Sequence, residues 1–524
     1  MQRKQLTLVI VSLLVVVLSV SLAYFTTQII GKEKDVSVTS TNLQIVFTDS
    51  DGAISGSNIE PGWSATKTFT VENNSKSEYK YNIVIKDLLN TFVTNGYLKY
   101  KIISTNNGYN MTEFKDVPKS STATDTVLAY NISIPTNVSQ EYTITFQYLN
   151  DEDVDQSDDM GMKLSGTLFI TEGYKTNQYP SGTLGNKLLS DKNVINTYRP
   201  NGFSSTYTAD NTNTLYTSTE DNKIVYYFAG NATDNWVKFG IHQVNSEQAI
   251  GYASENSSSF TVYATMSDCE QSQSYNCRYV YSKGDPIYWR IIRSNSDGSI
   301  RLLYHGTSPD STLSSIGSYQ FNYSRDNSKY VGYMYDSNET NSTIKNAIDT
   351  WYANNLTNYI KYLSTDAIYC NDRTSTVSDN AIGFGAFTRL TNNKTPKYDC
   401  TNTSDAFSLS NTSAKLTYPI GLMTADEVSF AGGVWRTTAP AYYSKNSLGS
   451  SSTTRAWFTM SPFRWGGSSS IIFAVGSNGS LAITLVSSEV FIRPVISLKS
   501  CVKWKSGDGT ASDPYTIEET ESGC

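Results

Sequence analysis

Two histidines, His242 and His305, are the only imidazoles in this 524-residue chain, so general bases near neutral pH are scarce. His242 follows the apolar run KFGI and His305 follows RLLY, which is the context of strand-end or half-buried residues, not of a catalytic triad. No G-x-S-x-G elbow, H-E-x-x-H pair, phosphate loop or dinucleotide glycine signature occurs. The expectation is a protein without catalytic residues.

Other residue types offer binding chemistry. Carboxylates cluster at Asp49 with Asp51, at Asp151 to Asp159, and at Asp508 with Asp513. Calcium is the cofactor such loops would take, but none has the spacing of a twelve-residue calcium loop closed by Glu, so solvated loops are expected and no cofactor is assigned. Trp435, Tyr442, Tyr443, Trp457 and Trp465 gather within about thirty residues. Flat rings of that kind either pack a core or stack on sugar faces, so they are candidate ligand-binding residues. Arg493, in FIRPVISL, and the pair Asp426 and Glu427 are charges set beside apolar runs. Arg493 is expected to be an ion-pair partner in a core strand, with a ligand-facing role as the alternative.

The six cysteines, Cys269, Cys277, Cys370, Cys400, Cys501 and Cys524, all lie in the second half. With no C-x-x-C and only two histidines, a zinc site is disfavoured. An even count fits disulfides, and fifteen pairings are open. Short loops make sequential pairing the natural choice: Cys269 with Cys277, Cys370 with Cys400, Cys501 with Cys524.

The compartment follows from the N-terminus. Behind Arg3 and Lys4, the uncharged run LTLVIVSLLVVVLSVSLA occupies 6–23, on the boundary between a signal peptide and a spanning helix. Ser21-Leu22-Ala23 suits cleavage before Tyr24, while Tyr24 and Phe25 suit an interfacial anchor. Either way the remainder is exported, to the cell surface or the exterior, and only residues 1–30 touch a membrane. A net charge of −7 offers no footprint for nucleic acid or an anionic membrane surface.

Aromatics reach 12%, with 37 Tyr and only 17% charged residues, a composition that suits pleated surfaces and polar turns. From 36 to 172 six alternating runs appear, at 42–48, 65–73, 79–87, 126–134, 141–149 and 163–171. Bounded by Asn, Gly, Ser and Pro, they predict an antiparallel β-sandwich, jelly-roll or Ig-like. Residues 173–218 are polar and read as a linker that becomes an edge of the next domain. From 219 to 524, strands at 222–231, 235–244, 457–463, 471–486 and 490–499 surround a helix at 341–356. That helix has Ile344, Ile348, Trp351, Tyr352 and Leu356 on one face. Asn341 or Ser342 can cap it. Asp297-Gly298 predicts a tight hairpin turn within 286–306, and Thr424 with Glu427 forms a capping box. The fold class is mainly β and multidomain, ending in a disulfide-bearing α+β module.

Two parts of the chain resemble known families. LAYFT at 22–26, IEPGWSATKTFTVENNS at 59–75, and the acidic 151–159 leading into GMKLSGTLFIT resemble the TasA/camelysin family of secreted bacterial matrix proteins. That resemblance implies a jelly-roll-like sandwich able to build extracellular fibres. The metalloprotease label attached to some members has no support here, since the first 172 residues contain no His. YPIGLMTADEVSFAGG at 418–433, then WFTMSP, GSNGSL and IRPVISL, resembles the C-terminal part of C-type-lectin-like and formylglycine-generating-enzyme-like modules of bacterial surface proteins. This match spans 287–498 and implies a binding or display module. Its enzyme branch implies paired active-site cysteines, which the sequence does not provide apart from structural pairs.

These readings converge on a non-catalytic bacterial surface protein for adhesion, ligand binding or display. The expected partners are the cell envelope or extracellular matrix, with glycans as candidate ligands. Two alternatives remain: a TasA-like matrix fibre subunit that self-assembles by donating 24–41 to a neighbour's sheet, and a surface enzyme of the formylglycine-generating-enzyme-like superfold.

Overall fold

Alternation of large apolar and small polar side chains builds the first third of the chain. In Val138–Tyr148, Gln140, Tyr142, Ile144, Phe146 and Tyr148 are buried while their neighbours are not, the two-residue period of a strand with one covered face. The computed structural model describes residues 27–28, 36–40, 43–49, 55–56, 59–74, 78–106, 108–172, 175–176, 179–195, 197–257, 259–378, 381–453 and 455–524. They form two units, Met1–Tyr174 and Lys175–Cys524. The chain is mainly β and multidomain. The apolar run at 6–23, expected from the sequence to direct export, lies outside the described residues, and no helix among those described is long and apolar enough to cross a membrane.

The first unit is an antiparallel two-sheet sandwich. One sheet runs in the order Val36–Ser40, Leu43–Asp49, Ser64–Asn73, Val138–Tyr148, Leu98–Ser104, Lys115–Asp116; the other runs Leu164–Glu172, Tyr79–Asn90, Ser120–Ile134. Side chains from both sheets, including Phe69, Ile83, Ile102, Leu128, Ile144 and Leu168, share one core. All six runs read from the sequence are strands. Val36–Ser40 pairs with Leu43–Asp49 of the same chain.

In the second unit the hairpin Pro286–Ser294 and Ile300–Gly306 is central, and every residue of its second strand is buried. Its sheet runs Asn193–Ile195, Thr214–Glu220, Lys223–Tyr227, Pro286–Ser294, Ile300–Gly306, Pro494–Leu498, Gly421–Leu422. Trp236–Ile241 also pairs with Pro286–Ser294. The hairpin turn departs from the expected form. Gly298 takes φ +83° but Asp297 has no positive φ, and Gly298 N donates to Asn295 O at 2.9 Å. This is a turn followed by a left-handed glycine, not a two-residue loop with both angles positive.

Residues 173–218, read as a linker, belong from Lys175 onward to this second unit. They supply the helix Leu184–Asp191, capped by Thr183, and the strand Thr214–Glu220. Only Leu184, Gly185 and Leu188 of that helix are buried, so in the sequence it shows only as a small apolar piece at Leu184 to Leu189 within a polar stretch. The helix expected at 341–356 is Thr343–Asn355 with Ser342 as its cap. The three disulfides join Cys269 to Cys277, Cys370 to Cys400 and Cys501 to Cys524.

Candidate functional site

The helix Thr343–Asn355 buries Ile344, Ile348, Trp351 and Tyr352 and leaves Asn346, Thr350 and Asn354 exposed. Those three stand four residues apart, so they form one row with rungs about 6 Å apart along the axis. A second row, Thr343, Ala347 and Trp351, runs beside it. The two rows make one wall of a cleft of about 280 Å³, close to the lower end of the roughly 300–1,000 Å³ of small-molecule sites.

The rest of the lining is Tyr281, Tyr319 and Ile316, with Asn245 and Glu247. Among the described residues, Glu247 is the only charged one lining the cleft, so an anionic ligand is disfavoured. Trp351 is 4% exposed, and its indole Nε1 has no hydrogen-bond partner, which leaves a donor beside the cleft unmet.

A rigid frame holds this part of the lining. Gln248 pairs both ways with the Ser318 backbone, donating to its carbonyl at 2.8 Å and accepting from its N–H at 2.7 Å. That contact fixes the start of the short strand carrying Tyr319. Ser246 Oγ accepts from Val280 N at 2.9 Å, tying the segment that carries Asn245 and Glu247 to the one that carries Tyr281. Tyr281 follows the strand Tyr275–Tyr279, which the Cys269 to Cys277 disulfide staples.

Behind Tyr281 lies His242, stacked on its ring at 3.9 Å. Asn355 Oδ1 accepts from Gln243 N at 3.0 Å and lies 3.3 Å from His242 Nδ1. Since that oxygen can only accept, Nδ1 carries the proton and Nε2 accepts from Tyr304 Oη at 3.2 Å. Burial lowers the His242 pKa to about 4, despite the opposing pull of Asn355 and Asp285. His242 is therefore a neutral brace under the cleft. His305 is fully buried as well, and burial with Arg493 and Arg290 nearby keeps it neutral.

The other residues singled out in the sequence do not form a surface platform. Tyr442, Tyr443, Trp457 and Arg493 are each 0% exposed and offer no face to a ligand. Trp435 and Trp465 are half-buried, and Trp435 is stacked on Phe463 at 5.1 Å. Arg493 makes no ion pair among the described residues and sits between strands Glu489–Phe491 and Pro494–Leu498. It donates Nε to Tyr304 O at 3.0 Å and Nη1 to Tyr443 O. The expected ion-pair role falls instead to its neighbours in the sequence reading. Asp426 pairs with Arg389 at 2.7 Å, and Glu427 takes Arg293 at 2.8 Å and Arg301 at 2.6 Å. Burial would raise the Glu427 carboxyl, but Arg301 and Arg293 outweigh it and hold the pKa at about 2. The capping box is present as read.

Asp51 lies outside the described residues. Asp159 spends its oxygens on Val93 N, on Thr94 N at 3.1 Å and on Tyr148 Oη at 2.7 Å. Asp508 accepts from Thr510 N at 2.9 Å. Among the described residues no three His, Cys, Asp or Glu side chains gather as a metal site.

The cleft itself was missed in the sequence. The spacing of Asn346, Thr350 and Asn354 on the one long helix was the available signal, whereas Tyr281 and Tyr319 reach it only through the fold.

No protein-family model and no curated protein matches the chain. A solved structure titled "Chaperone-tip adhesin complex is vital for synergistic activation of CFA/I fimbriae biogenesis" aligns with 45% of this chain and 86% of its own, at 12% identity and a TM-score of 0.07. A likeness of that size carries no argument.

Proposed function

We propose that this chain is an exported, non-catalytic binding protein of the bacterial cell surface, and that its second unit takes an uncharged, sugar-like ligand in the cleft beside Thr343–Asn355. The observation that carries this reading is the lining: the aromatic side chains Tyr281 and Tyr319, with Trp351 on the helix, share one cleft with a row of amides and a hydroxyl. Rings bind the apolar faces of a sugar, and amide and hydroxyl groups exchange hydrogen bonds with its hydroxyls. From Asn346 to Asn354 the row spans about 12 Å, enough to serve about two sugar rings. Three disulfides support an oxidising exterior. Both histidines are buried and neutral, which leaves no imidazole as a general base and supports binding over turnover. The resemblances to surface and matrix proteins imply the same setting.

The test is an array of neutral glycans probed with the full exported chain and with Thr350→Lys. Thr350 is exposed, so the variant should fold normally while placing a long charged side chain in the cleft. Saturable binding to a subset of glycans, weakened at least about tenfold in the variant, is expected. Binding equal in both proteins, or no glycan bound by either, would defeat the reading.

A further inference from the structure

Away from the cleft, the core of the second unit buries two arginines that have no carboxylate against them. Arg290 is 2% exposed and Arg493 is 0% exposed, and neither forms an ion pair among the described residues. Their hairpin neighbours Arg293 and Arg301 contrast with this, since both are bound to Glu427. Arg290 donates to Asn235 Oδ1 at 2.7 Å and to Ala232 O at 2.6 Å; Arg493 donates only to the carbonyls of Tyr304 and Tyr443. Aromatic faces cover the guanidiniums, Trp236 at 3.9 Å and Tyr442 at 5.4 Å from Arg290, and Trp457 at 5.1 Å from Arg493. Carbonyls and rings soften a buried cation without neutralising it. Asp234 acts on Arg290 from further off; its Oδ2 is held by Lys192 at 2.6 Å, while its Oδ1 has no partner.

Several polar atoms around the pair have no partner. Tyr442 lies within the electrostatic reach of both arginines, and its Oη has no partner; nor do Arg493 Nη2 and Trp457 Nε1. Ser314 and Ser452, joined through Ser314 N and Ser452 O at 2.9 Å, also have buried hydroxyls without partners. His305, set edge-on at 4.4 Å to the same Trp236 ring, must donate from Nε2 to Pro309 O at 3.1 Å, which leaves its Nδ1 as an acceptor without a partner. The pair thus carries two positive charges without a paired carboxylate and has open N–H donors in Arg493 Nη2 and Trp457 Nε1, against the open acceptors His305 Nδ1 and Asp234 Oδ1; the group that answers the charge and the donors is an acceptor carrying negative charge.

We propose that this cluster binds a small inorganic anion of halide size between Arg290, Arg493 and Tyr442 Oη, as a built-in part of the second unit's core. Burial draws both arginines down to about 9, in keeping with cations that the protein's own carboxylates do not offset. The enclosing side chains are almost wholly buried, so the ion is taken up as the unit folds and exchanges only when it opens.

Crystals of the full chain grown in bromide test this at the bromine absorption edge, and an anomalous peak within hydrogen-bonding distance of Arg493 Nη2 is expected. In parallel, the melting temperature is compared in bromide and in gluconate at equal ionic strength. A saturable rise in bromide alone is expected. Tyr442→Phe, which keeps the ring and removes one donor, should raise the half-saturating bromide concentration about tenfold or more, the worth of a hydrogen bond to a charged group. No anomalous peak there, equal melting in the two salts, or a half-saturation unchanged in Tyr442→Phe would overturn the proposal, and water alone would then fill the cluster's bonding needs.

Discussion

Replacing Glu427 by Gln isolates the charge that holds the centre of the second unit. Glu427 Oε1 receives Arg293 Nε at 2.8 Å and Arg301 Nη1 at 2.6 Å, while Oε2 receives Thr424 N at 2.9 Å. A glutamine oxygen still closes the capping box, so the helix Ala425–Ala431 keeps its start. What is lost is the negative charge between two buried cations. Arg293 retains Glu220 at 2.8 Å, but Arg301 is left with the Ile368 carbonyl. Removing one partner of a buried pair costs about 3–5 kcal/mol.

The shifted pKa gives an independent figure. A carboxyl moved from 4.5 to about 2 corresponds to about 3 kcal/mol. The second unit, Lys175–Cys524, has an unfolding entropy of about 0.7 kcal/mol per degree at roughly 2.1 cal/mol/K per residue, so its melting temperature should fall by about 4–7 °C. Because the folded pKa is depressed, this stability is present above pH 4.5 and is lost as the pH falls toward 2. Calorimetry of wild type and Glu427→Gln should therefore show a gap at pH 7 that closes toward pH 2. A shift under about 1 °C at pH 7, or a gap that does not change with pH, would refute the reasoning.

His242 has a pKa lowered from 6.5 to about 4, so the unfolded chain takes up a proton in that window and the folded chain does not. This contributes about 3 kcal/mol that is complete above pH 6.5 and lost as the pH falls to 4; proton NMR should show its ring untitrated down to pH 5, and a midpoint near 6.5 would contradict the buried site. In the chain-entropy account the loop of 30 residues closed by Cys370 and Cys400 is worth about 3.5 kcal/mol, and the loop of 8 closed by Cys269 and Cys277 about 2.5 kcal/mol. Melting of the two paired Cys→Ser variants should follow that order, and the reverse order would count against it. Tyr443→Phe removes a hydrogen bond to Gly479 O at 2.7 Å and should cost about 1 kcal/mol in urea unfolding without altering glycan binding; a binding loss would restore Tyr443 as a ligand contact.

Legibility in the sequence followed the range of the forces involved. Strands such as Ser64–Asn73 and Val138–Tyr148 were readable because alternation is local. So were Ser342 as a cap and Thr424 with Glu427 as a box, since each is a contact within one turn. Leu98–Ser104 was passed over although Leu98, Tyr100 and Ile102 alternate, because lysines fill the outward positions and lower the run's apolar signal. The aromatic cluster around Tyr442 misled for a different reason. Composition cannot tell whether a ring faces solvent or a buried guanidinium, and Tyr442 packs near Arg290, distant in sequence. The pairing of Glu427 with Arg293 and Arg301 spans more than a hundred residues and has no local mark at all.

The most direct measurement of the binding account is a crystal structure of the chain soaked with a neutral oligosaccharide that it binds. Density for sugar rings against Tyr319, with hydroxyls on Asn346, Thr350 and Asn354, is predicted. Sugar bound instead at the Trp435 and Trp465 rim, with the cleft beside Thr343–Asn355 holding solvent only, would contradict it.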